Sequence, residues 1–263
     1  MAFARVNGQV LHHRVTGTDG RPRLVFSNSL GSDFRIWDAV VDRLAGDFEI
    51  LLYDSRGHGL SDAPSGEYSI ADHSADLLGL LDHLGWAQVA LVGLSVGGLI
   101  AQDVAIRHAG RLERLVLLDT AAKIGGPDLW NGRIEAVGRG GLASISDAVI
   151  GRWFTEGFAR ERPAERQGWL NMLERTPAQG YAGTCAAIRE ADFTAELGAI
   201  AVPTLVAVGD ADLSTPPDLV RATTEAIPGA RFEIIGDAGH LPCIERPDAV
   251  ARLIRDHVRG EAA

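Results

Sequence analysis

Six short aliphatic runs, separated by stretches whose apolar residues recur at helical spacing, leave this chain few folds to choose from. Arg23–Asn28, Glu49–Asp54, Gln88–Leu94, Leu112–Asp119, Pro203–Gly209 and Arg231–Gly236 read as strands. Phe34–Ala45, Ile70–Leu84, Val96–His108, Pro217–Ile227 and Asp248–Val258 read as helices. Such alternation implies an α/β fold: a mostly parallel sheet with helices on both faces. Two segments depart from the rhythm. Phe3–Val6 and Gln9–Val15 flank Asn7-Gly8, a strong hairpin signal, so an antiparallel pair opens the sheet. Residues 121–200 hold no convincing strand, are helical in pattern, and carry Trp130, Trp153 and Trp169. They read as a helical cap inserted into a core made of residues 1–120 and 201–263. Its tryptophans pack the cap or line a pocket, and Gly138-Arg-Gly-Gly141 reads as a bend between cap helices.

The strand ending at Leu94 meets the helix starting at Val96 in Gly93-Leu-Ser-Val-Gly97. A serine at so tight a strand-to-helix corner has its hydroxyl pushed clear of the backbone, and the glycines avoid collisions with the neighbouring strand and helix. Ser95 is therefore the candidate nucleophile. It needs a base, and the base needs an orienting acid. His240 lies in Gly236-Asp-Ala-Gly-His240, a loop after the last strand, and is the candidate base. Val206-Ala-Val-Gly-Asp-Ala-Asp212 runs from a strand into a turn with two acids. Asp212, farther out, can reach back to the imidazole and is chosen, whereas Asp210 is expected to cap local backbone. The order Ser, Asp, His suits loops at the carboxyl ends of an open sheet, where ligands bind. The backbone N–H of Val96, and that of Leu30 in the loop Asn28-Ser-Leu-Gly31, are the candidate oxyanion donors.

Other polar residues read as structural. His58, in Arg56-Gly-His-Gly59, is expected to bond backbone, and Arg56 to play a structural part. His12 and His13 are neighbours on a strand and point to opposite faces. No His, Cys or carboxylate set has metal-ligand spacing, so no metal or other cofactor is expected. A net charge of −10 argues against a nucleic-acid partner, although a few local arginines could still hold an anionic substrate. No run of about 18 apolar residues suggests a membrane span. Two distant cysteines, Cys185 and Cys243, and an amino terminus without a signal-like pattern point to a cytoplasmic protein with reduced thiols.

With the elbow, the early loop and the histidine loop in place, the chain resembles the α/β-hydrolase superfamily over nearly its whole length. Tyr53-Asp-Ser-Arg-Gly-His-Gly-Leu-Ser-Asp62 is a further segment of that kind. More narrowly it resembles the 3-oxoadipate enol-lactonases, through Phe26-Ser-Asn-Ser-Leu-Gly31, Gly93–Gln102, Asp119–Gly125 and Ala182–Arg189. Asn28-Ser29 replaces the His-Gly common elsewhere in the superfamily. The resemblance implies an α/β-hydrolase fold and serine-dependent hydrolysis of a small anionic enol-lactone to 3-oxoadipate, as in aromatic catabolism. It also implies a cap that contacts substrate, with Trp130 and Arg133 as its candidates and Arg133 facing the substrate carboxylate. A broader carboxylesterase, a C–C bond hydrolase, and a small-molecule receptor without turnover are the competing readings.

Overall fold

The computed structural model describes residues 1–260. The strands are β1 (Ala2–Val6), β2 (Gln9–Gly17), β3 (Arg23–Ser27), β4 (Glu49–Tyr53), β5 (Val89–Leu94), β6 (Leu112–Leu118), β7 (Thr204–Gly209) and β8 (Arg231–Ile235). They form one sheet in the order β1-β2-β4-β3-β5-β6-β7-β8. Only β2 runs against its neighbours; every other pairing is parallel. The opening hairpin turns at Asn7 and Gly8, with φ of 50° and 81°. Both values are positive, as a two-residue turn that follows the strand twist demands.

The core helices are α1 (Asp38–Leu44), α2 (Ile70–His83) and α3 (Val96–Arg107). Between β6 and β7 come α4 (Pro127–Gly140), α5 (Ser146–Trp153), α6 (Glu156–Glu161), α7 (Pro163–Glu174) and α8 (Ala178–Glu190), with no strand among them. The chain then adds α9 (Pro217–Glu225), α10 (Pro242–Glu245) and α11 (Pro247–Arg259). The step from β3 to β4 crosses the sheet one way, and the steps from β4 to β5 and β5 to β6 cross it the other way. Right-handed crossovers therefore put α1 on one face and α2 and α3 on the other. α11 packs on α1, and α2 on α3. The expected helix at Phe34 starts as a 3-10 turn, because Asp33 accepts the Arg35 N–H and Asp54 holds the Phe34 N–H. Gly141, at φ 64°, ends α4 where the sequence suggested a bend.

Every residue of β5 and β7 is buried. Each aliphatic side chain withdrawn from water there contributes about 1.5–3 kcal/mol, so the sheet centre is a rigid base. The strand order reverses between β3 and β5, and ligands bind outside the carboxyl ends of strands at such a point. Ser27 pairs with Gly93 there, which sets the loop after β3 beside the corner after β5.

Candidate active site

Ser95 occupies that corner at φ 58° and ψ −118°, a strained conformation for a residue with a side chain. Surrounding bonds hold it. Its N–H donates to the Leu118 carbonyl at 3.0 Å, and its own carbonyl accepts the Thr120 hydroxyl at 2.7 Å. The glycines have the spatial role that their pattern suggested. A Cβ on Gly93 would lie 2.2 Å from the Gly97 carbonyl oxygen, and one on Gly97 the same distance from that of Ser27.

The loop after β3 is fixed from below. Asn28 donates to the Tyr53 carbonyl and accepts from the Trp37 indole N–H, so the side chain is turned into the core. Gly31, at φ 77°, donates its N–H to Nε2 of His58 at 2.9 Å. The other His58 nitrogen bonds the Arg56 carbonyl. His58 is thus a neutral ring braced between two backbone groups, and burial lowers its pKa. Among the described residues, neither the Leu30 nor the Val96 N–H has a hydrogen-bond partner.

On the far side, Nδ1 of His240 lies 2.9 Å from Oδ2 of Asp212. Asp212 also accepts the Thr215 hydroxyl and the N–H groups of Ser214 and Thr215. Burial alone would raise its pKa, but the facing His240 and these donors pull it below the ordinary carboxylate value. Asp210 instead accepts the Ala238 N–H and pins the histidine loop. Buried Glu245 does the same from α10, taking the Gly239 N–H at 2.6 Å and both donors of Thr155. With Nδ1 engaged, Nε2 is the His240 nitrogen that remains.

Ser95, His240 and Leu30 line one cleft with about 590 Å³ of empty space, part of it open to solvent. Its other wall comes from α4, α5 and α8 and includes Trp130, Arg133, Arg152, Trp153 and Tyr181. The Arg133 guanidinium lies over the Trp130 ring, 5.0 Å from its centroid, and the Trp130 N–H is tied to the Ile124 carbonyl at 2.6 Å. Trp169 does not line the cleft. Arg56 is a buried bidentate partner of Asp76, and Arg189 is taken by Glu67, Glu190 and Asn131. Cys185 and Cys243 are free and buried.

A model of the alpha/beta hydrolase family matches residues 11–253. The chain belongs to the alpha/beta hydrolase family. Curated relatives include 3-oxoadipate enol-lactonase 1 of Acinetobacter baylyi, 35% identical over 253 residues, covering 96% of this chain and 94% of that one. The enol-lactonase from Burkholderia xenovorans LB400 superposes with a TM-score of 0.96 at 40% identity, covering 98% of this hydrolase and all of the other chain. A malate-bound thermophilic esterase from Thermogutta terrifontis gives 0.92 at 32% identity, covering 100% and 99%.

Some residues of this alpha/beta hydrolase carry little signal in the sequence. Arg152, Tyr181 and Ile188 reach the cleft from helices whose spacing shows amphipathicity but not direction. Asp119 sits at the carboxyl end of β6, one strand from Asp212, and its place on a strand end was the available signal. Among the described residues, Asp119, Asp212 and His240 are the set with donor atoms close enough for a metal, all within 4.8 Å of one another. They fit a metal poorly. Asp212 is saturated by N–H and O–H donors, whose positive ends would face a cation. No helix among the described residues is long and apolar enough to cross a membrane.

Proposed function

We propose that this hydrolase opens a small enol-lactone bearing a carboxylate, of the 3-oxoadipate enol-lactone type, through an acyl-enzyme on Ser95. In this reading the core is residues 1–120 and 201–263, and residues 121–200 form a cap over its site. One observation carries the substrate class. Among the described residues, Arg133 and Arg152 have no carboxylate partner, donating instead to the Tyr181 hydroxyl and the Leu213 carbonyl, although both line the cleft that holds Ser95 and His240. A guanidinium held beside an indole, with its charge unneutralised, suits a planar carboxylate. The enol-lactonase names of the relatives point the same way.

In this reading Ser95 is the nucleophile, His240 its base and Asp212 the acid that orients the base. His240 Nε2 takes the Ser95 proton as Oγ attacks the lactone carbonyl, while Asp212 holds the ring and stabilises the imidazolium. The Leu30 and Val96 N–H groups receive the oxyanion. Collapse breaks the ring C–O bond, and His240 returns the proton to the departing enol oxygen. Water, deprotonated by the same nitrogen, attacks the ester carbonyl and releases Ser95. One water is consumed, and the freed enol becomes the ketone of 3-oxoadipate. The buried, unpaired thiols suit a reducing compartment, so we place the reaction in the cytoplasm.

Rapid quench and intact-mass measurement test the covalent step. Wild-type enzyme should gain the mass of one lactone, and Ser95→Ala should gain none while losing on the order of 10⁶ in kcat. Turnover in the alanine variant within tenfold of wild type would remove Ser95 from the mechanism. A general esterase is the second reading, favoured by the Thermogutta terrifontis esterase neighbour.

A further inference from the structure

Asp119 is fully buried at the end of β6, at φ 46°, in a place that the mechanism above leaves unused. Its Oδ1 accepts the Gly209 N–H at 2.9 Å, whereas Oδ2 has no partner among the described residues. One of its oxygens lies within 4.8 Å of an oxygen of Asp212 and a ring nitrogen of His240. Two buried carboxylates thus share a pocket with one imidazole. Asp212 accepts four hydrogen bonds and Asp119 accepts one, so a single proton shared between them belongs on Asp119.

The other titratable groups nearby cannot neutralise a second anion. Glu245, on α10, is occupied by Gly239 and Thr155, and Cys243, on the same helix, is a buried thiol with its pKa pushed up by burial. Burial and the Asp212 charge push the Asp119 pKa well above the carboxylate range, against the opposing Gly209 N–H.

We propose that Asp119 is a positioning residue that keeps its proton and donates it, as a hydrogen bond, to the Asp212 carboxylate. The arrangement leaves one negative charge beside His240, so the pair becomes neutral when the imidazole takes the serine proton. It also adds a further donor to the Asp212 carboxylate and makes it less basic, so the proton stays on His240. The inference rests on the roles given to Asp212 and His240, but its first readout does not depend on turnover.

Infrared spectra of the wild type and Asp119→Asn, from pH 6 to 9, supply that readout. Asparagine suits the site, since it tolerates positive φ better than most residues and keeps the side-chain shape. Wild type should show a protonated-carboxyl C=O band across this range, absent from Asp119→Asn. The second readout is the acid limb of kcat/KM on a neutral aryl acetate. An ionised carboxylate within 4.8 Å would hold that limb higher by on the order of two pH units or more at an effective dielectric constant of about 20. Asp119→Asn should therefore leave it within about 0.3 unit if Asp119 already carries a proton. Absence of the band, or a drop of the limb by more than one unit, overturns the proposal. Should the variant not fold, persistence or loss of the band in wild type between pH 6 and 9 decides alone.

Discussion

Gly97→Ala separates two opposite expectations. Gly97 lies in α3, and helix propensity alone would make alanine stabilising by up to about 1 kcal/mol. The packing says the reverse. The new Cβ would stand 2.2 Å from the Ser27 carbonyl oxygen and 2.9 Å from that of Asn28, where real Cβ atoms keep at least 3.0 Å. The corner after β5 and the end of β3 must part by roughly 0.8 Å or more, and both partners are backbone, so no side chain can swing aside. Overpacking of this kind costs about 1–3 kcal/mol. The same shift pulls Ser95 from the Leu30 N–H, and misplacement near 1 Å costs about 10²-fold in rate. Urea unfolding with aryl acetate hydrolysis should show lower stability and kcat down about 10²-fold. Gly168→Ala in α7, where a Cβ meets nothing within 4 Å, is the control and should gain about 0.5–1 kcal/mol. If Gly97→Ala matches that gain and keeps kcat within threefold, the elbow argument is wrong.

Asp212→Asn should cut kcat by about 10⁴, because the amide favours the wrong His240 tautomer. Asp210→Asn should cost less than tenfold, and equal losses would leave the choice of acid unsupported. Arg133→Ala should raise KM for an anionic lactone about tenfold or more and leave KM for a neutral aryl acetate nearly unchanged, as steady-state kinetics on both would show. Stability should respond to pH with opposite signs at the two buried acids. Asp212, depressed in the fold, contributes stability above its unfolded value near 3.8 that is lost as pH falls through its folded value. Asp119, raised in the fold, contributes fully below 3.8 and loses that contribution as pH rises. Asp119→Asn should therefore gain on wild type by about 1.4 kcal/mol per pH unit above 4 until Asp119 ionises. A gain that does not change between pH 4 and 7, by denaturant unfolding, would contradict the raised value.

What the sequence disclosed follows from how each feature is encoded. Buried parallel strands need continuous aliphatic runs, so all eight strands, hairpin included, were legible to within two residues. The corner at Ser95 was legible because its glycines are required by backbone approaches that no other residue permits. Direction within the helical segment was not legible. Arg152 looks like any surface arginine until α5 is turned towards the sheet, and Arg133 was marked out by resemblance, not by its spacing. Asp119 hid for a different reason: its position beside Asp212 depends on β6 and β7 being neighbours, 85 residues of chain notwithstanding. The four-residue α10, which carries Glu245 to the histidine loop, is too short for any periodic signal.

The most direct test of the account is ultraviolet-monitored hydrolysis of purified 3-oxoadipate enol-lactone, with a neutral aryl acetate alongside it. Fast lactone loss is expected, at a kcat/KM at least 10²-fold above that for the acetate, from recognition of the carboxylate. Fast acetate cleavage with no loss of the lactone would contradict it and leave a hydrolase whose arginines serve another substrate.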